Sequence, residues 1–137
     1  MIDAEKAIYD RVITQLRKRE DLPDFSHSGE PTLSPAAFPF ICIMEMDNST
    51  DRASRATGSG EVYAVLTYEV TTFSNKINGK KQECRKLADA VDEIMLDMNF
   101  RRISLKPVPN LLSGSVYRMV GRYEVLIDAE GQLYYRR

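Results

Sequence analysis

Residue types able to do chemistry are scarce in this 137-residue chain, which holds one histidine and two cysteines. His27 lies between Ser26 and Ser28. A nucleophile–histidine pair with either serine, or with Cys84, would need a proximity that only the fold can supply, so His27 reads as a loop histidine. Cys42 sits inside an apolar run and Cys84 on an apolar helical stripe. A reactive thiol needs an accessible, cationic setting, and Arg85 and Lys86 beside Cys84 offer little of it; both cysteines are expected to be buried small hydrophobes. Asp47, Ser49 and Asp51 alternate like the opening of a calcium loop, but Arg52 stands where that loop needs glycine and no closing glutamate follows. The same Asp47 and Asp51, with Glu61, are the carboxylates a two-metal hydrolase or nuclease would use. That chemistry needs them on rigid strand ends, and they fall mostly in a stretch that reads as a loop.

Phosphate-binding glycine turns are no better supported. Gly79-Lys80-Lys81 lacks the upstream glycine of a phosphate loop. Gly58-Ser59-Gly60 precedes a strand, whereas a nucleotide-binding turn follows one and opens a helix. Asn48-Ser49-Thr50 matches a glycosylation sequon without a secretory leader to give it meaning. These readings give no catalytic residue, no metal ligand set and no cofactor.

Composition narrows the class further. Hydrophobic residues make up 43% of the chain and charged residues 28%, with a formal net charge of −1. That amount of apolar residue supports one core, and near-neutrality lacks the broad basic footprint of a DNA-coating protein. The longest apolar run, Phe40 to Met44, is far too short to cross a bilayer. The expectation is a soluble, intracellular single domain. Charge is nevertheless uneven along the chain. Residues 1–51 carry ten acids and five bases, whereas residues 101–137 carry three acids and seven bases. Either the fold interleaves these charges, or one flank is acidic and another basic. In the second case copies can associate head to tail, and such contacts close into rings.

The elements that would position these residues are legible from periodicity. Ile8, Val12 and Leu16 recur every four residues and predict a helix over 4–19, with Asp3 as N-cap and Arg17-Lys18-Arg19 at the dipole's negative end. Four of the six prolines fall in residues 20–39, predicting an irregular crossing. Phe40–Met44 reads as a strand buried on both faces, followed by a mobile polar loop over 47–60. Glu61–Phe73 is rich in β-branched and aromatic residues and longer than most strands, so it is expected to bend or project past the sheet. Cys84, Leu87, Ala88, Val91, Ile94, Met95 and Met98 form the stripe of a second helix over 80–99. A short strand over 101–106, a long one over 115–127 and a hairpin at Asp128–Gly131 complete the chain. The predicted order is α-β-β-α-β-β-β: an α+β domain with a mostly antiparallel sheet packed by two helices.

This succession, with Phe38-Pro39 opening the strand Phe-Pro-Phe-Ile-Cys-Ile-Met-Glu-Met-Asp-Asn, the strand Glu61–Val70, the helix Gln82–Met98, Arg101-Arg102-Ile103 with Pro107, and Val116–Val125, resembles the tail terminator proteins of tailed bacteriophages and prophages, among the minor tail and head–tail joining proteins of similar size. The resemblance spans nearly the whole chain and rests on element order and strand texture rather than on a chemical fingerprint. It implies a non-enzymatic structural role in the virion tail or neck, reached through assembly in the host cytoplasm. A homo-hexameric ring would cap the finished tail tube, stop addition of tube protein and present a docking surface for the head–tail connector. DNA would pass through the lumen without sequence-specific binding, and no membrane would be involved. The family transfers no catalytic motif. By position, Asp47, Asp51, Arg52 and Arg55 in the 47–60 loop are the candidate assembly or lumen contacts. The alternatives are another neck component, such as a head-completion or connector ring, or a small dimeric ligand-binding α+β module.

Overall fold

The computed structural model describes residues 1–32, 35–50, 63–109 and 114–135. Helix α1 (Glu5–Arg17) is followed by strands β1 (Ser26–Ser28), β2 (Phe40–Thr50) and β3 (Tyr63–Ser74), helix α2 (Lys80–Asp97), and strands β4 (Arg101–Pro107), β5 (Tyr117–Asp128) and β6 (Leu133–Tyr134). The architecture is α+β, with two helices on a six-stranded sheet of order β1-β2-β3-β5-β4, to which β6 adds beside β5. Every pairing is antiparallel except β1 with β2, where Ser26 faces Phe40 and Ser28 faces Cys42.

The sequence reading omits β1, so its element order is corrected to α-β-β-β-α-β-β-β. Three residues carry no periodic signal, and β1 exists because β2 offers a ready edge, not because Ser-His-Ser favours a strand. The 47–60 loop is also corrected: Asp47–Thr50 belong to β2 and pair with β3 as far as Thr50–Ala64. Their polar side chains hid this, because only the first four residues of β2 are buried. Residues 51–60 lie outside the described residues. Nor does β3 project past the sheet over its described residues. It is the central strand, paired with β5 from Tyr63–Asp128 to Ser74–Tyr117, and its 12 residues lie between neighbours of 11 and 12.

One face of the sheet is packed by both helices. Ile8, Val12, Ile13 and Leu16 of α1 and Leu87, Val91, Ile94 and Met95 of α2 bury against Ile41 and Ile43, Leu66, Tyr68 and Val70, and Tyr123, Val125 and Ile127. Each such side chain contributes about 1.5–3 kcal/mol by leaving water. On the opposite face Phe40, Cys42 and Phe73 pack with Phe38, Met44 and Val116 at one end of the sheet.

Helix ends follow local chemistry. The N-cap of α1 is Ala4, not Asp3, whose carboxylate sits 3.4 Å from the Glu5 amide. At the end of α2, Asn99 takes a left-handed conformation (φ 71°). The Phe100 amide then reaches the Met95 carbonyl and the Asn99 amide reaches that of Leu96, which closes the helix and drops Phe100 into the core.

Candidate functional site

Of the four candidate contact residues only Asp47 is described; Asp51, Arg52 and Arg55 lie outside the described residues, as does Glu61. Asp47 is exposed on β2, accepts a hydrogen bond from Ser49 Oγ at 2.9 Å, and directly follows a bulge in the pairing with β3. Its surroundings are acidic. Burial pushes the Glu45 carboxyl above its ordinary range, and the charges of Glu5, Asp3 and Asp47 push it the same way, against a hydrogen bond from Tyr68. Among the described residues no group of three or more histidine, cysteine or acidic side chains is arranged to hold a metal ion.

His27 has partners that sequence did not suggest. Tyr9 Oη lies 2.5 Å from Nδ1 and Arg17 Nη2 lies 2.8 Å from Nε2. Guanidinium can only donate, so Nε2 accepts and the proton of the neutral ring sits on Nδ1, pointing at the tyrosine. Burial, then the Arg17 charge, lowers the His27 pKa. The ring is a tie between α1 and the sheet edge; neither neighbouring serine nor Cys84 is bonded to it. The i, i+8 spacing of Tyr9 and Arg17 on α1 is the only signal that could have announced this contact, and without β1 it points nowhere.

The cysteines are placed as the sequence reading has them. Cys84 is fully buried and donates to the Thr72 carbonyl at 3.1 Å. Cys42 is 4% exposed and donates to the Glu30 carbonyl at 3.1 Å, holding the crossing segment against the sheet. Burial is the leading cause that raises both thiol pKa values, so both are poor nucleophiles.

Several open grooves lie among the described residues. One, about 620 Å³, runs between the start of α1 and the β5–β6 turn, lined by Ile2, Ala4, Arg11, Met98, Glu130 and Leu133 among others. No helix among the described residues is long and apolar enough to cross a membrane. The two sheet edges differ in charge. Asp24 and Glu30 are exposed on either side of β1 in the chain, together with Arg17, whose guanidinium lies on His27 of that strand, while Arg101 and Lys106 are exposed on β4 at the other edge. Exposed acids thus outnumber bases beside β1, and exposed bases mark β4. The chain matches no protein-family model and no curated protein.

Proposed function

We propose that the chain is a structural assembly protein that caps the completed tail tube of a tailed bacteriophage or prophage as a ring, halts tube polymerisation and forms the docking surface for the head–tail connector. The observation that carries the reading is the contrast between the two edge strands: acids predominate beside β1 and bases on β4, which favours head-to-tail contacts between copies, and such contacts close into rings when the rotation between copies closes. The resemblance of element order and strand texture to tail terminators supplies the tube and the connector as partners. A net charge of −1 suits a conduit through which DNA slides without being gripped. The functional machinery in this reading is surface, not a catalytic cleft, and needs no cofactor.

The test is mass in solution by light scattering over a concentration series, repeated with purified tail tubes and followed by electron microscopy of tube length. A six-fold species, alone or on tube ends, with tubes that stop growing, is the expected result. A monomer or dimer that leaves tube growth unchanged overturns the reading. Deleting residues 51–60, which spares the paired end of β2, tests that segment: the variant is expected to fold and to lose capping, and normal capping would remove Asp51, Arg52 and Arg55 from the contact.

A further inference from the structure

We infer that the β4 edge of one copy docks on the β1 edge of the next, extending the sheet from molecule to molecule. The inference rests on the self-assembling reading above and names its interface.

Strand β4 has seven residues and is paired on one side only; among the described residues no strand lies along its outer side. A free edge of that length is a template for another strand. Lys106, Pro107 and the bulge between Arg102 and Ser104 blunt it against indiscriminate pairing, and the same positive charge selects the partner. Two β4 edges meeting across a two-fold axis would set Arg101 and Lys106 of one copy against their equivalents in the other, which like-charge repulsion disfavours. The opposite edge of the same molecule has the complementary character.

Each edge is flanked by a groove under a helix. Beside β4 the groove is about 420 Å³, with Leu105 and Met119 in its lining and Arg85 and Lys86 outnumbering Asp89. Beside β1 it is about 580 Å³, with Asp3, Glu5 and Glu30 outnumbering Lys6. Both helices pack on the same face, so a sheet continued in plane sets the basic groove next to the acidic one. Strand direction agrees. The sheet runs β1 with β2, then alternates through β3, β5 and β4, which leaves β4 antiparallel to β1. A neighbour in the same orientation therefore adds its β1 to β4 as an antiparallel strand, and the contact is heterologous, as ring closure requires.

The experiment uses two surface variants of the full chain. Arg85→Glu with Lys106→Glu reverses the basic side; Asp24→Lys with Glu30→Lys reverses the acidic side. All four residues are exposed, and circular dichroism checks that folding is retained. Sedimentation is measured for wild type, for each variant and for their equimolar mixture, at low and high salt. Wild type is expected to assemble, more weakly at high salt. Each variant alone should dissociate, with at least about a tenfold rise in dissociation constant. The mixture should assemble again, because alternating variants restore opposite charge at every contact and close only even-numbered rings. Variants that assemble like wild type overturn the edge contact while leaving the ring reading intact. A wild-type chain that stays monomeric overturns the self-docking edge, and tube capping by that monomer would show that the terminator reading survives it.

Discussion

Tyr123 donates its hydroxyl to Asp92 Oδ1 at 3.0 Å, and Arg102 Nη1 reaches Oδ2 of the same carboxylate at 2.7 Å. Asp92 is 6% exposed and Tyr123 1%, so one carboxylate joins α2, β4 and β5 inside the core. Burial, reinforced by the Asp92 charge, pushes the Tyr123 phenol far above its ordinary pKa. Removing the acceptor strands a buried hydroxyl, whereas removing the hydroxyl leaves Asp92 still paired with Arg102. Asp92→Ala is therefore expected to cost about 2–3 kcal/mol and Tyr123→Phe about 1 kcal/mol. The double variant should fall short of their sum. Urea unfolding of the three proteins measures this, and strict additivity would show that the hydrogen bond contributes nothing.

The same tyrosine explains a glycine in the middle of a long strand. A Cβ on Gly121 would lie 2.8 Å from Tyr123 Cε2 and 2.9 Å from its oxygen. The ring cannot move aside freely, since Asp92 holds its hydroxyl and the core surrounds it. Gly121→Ala is expected to destabilise by about 1–3 kcal/mol, despite the better strand propensity of alanine. The penalty should shrink in a Tyr123→Leu background, where the ring is absent. An equal penalty in both backgrounds, read from urea midpoints, would place the clash elsewhere.

These two residues also mark where sequence reading succeeds and stops. The stripe through Cys84, Leu87, Val91 and Met95 and the alternation Met119-Tyr123-Val125-Ile127 disclose the buried faces, because burial repeats with the period of the element. Asp92 interrupts an apolar stretch of α2 without a local reason; its partners lie ten and thirty-one residues away. The polar end of β2 is invisible for a related cause, since Asp47, Ser49 and Thr50 are kept extended by ladder bonds to β3 and not by burial. Strand β1 depends wholly on a neighbour. The charge contrast was present in the sequence as two uneven segments, but only the strand order puts β1 and β4 at opposite edges.

The tie at His27 makes stability depend on pH. Its folded pKa is lowered from 6.5 by burial and by Arg17. The unfolded chain therefore takes up the proton at a pH where the folded chain still resists it. Stability from the neutral ring is present above about 6.5 and is lost as pH falls through the lowered folded value. Protonation also removes the only acceptor for Arg17 on that ring, which loosens α1 from β1. Thermal melts between pH 7.5 and 5 should show a decline that His27→Gln flattens. A decline of equal slope in His27→Gln would assign the effect to other groups.

The two cysteines provide a reading of local opening. Cys84 is enclosed by Thr72 on β3 and the core side of α2, with hydrogen bonds to the Thr72 hydroxyl and carbonyl. Cys42 faces the other side of the sheet and is sheltered by the crossing segment through Glu30. Neither thiol is a ready nucleophile while buried, because burial disfavours the thiolate. Exposing Cys42 requires only that the crossing lift from the sheet; exposing Cys84 requires α2 to part from β3, a larger share of the global unfolding free energy. With a thiol reagent under native conditions, both should react far more slowly than in denaturant, and Cys42 should react before Cys84. Glu30→Pro would pull the crossing out of register and is expected to speed Cys42 while leaving Cys84 unchanged. If Cys84 reacted first, or if both accelerated together, the crossing would not be an independently opening unit.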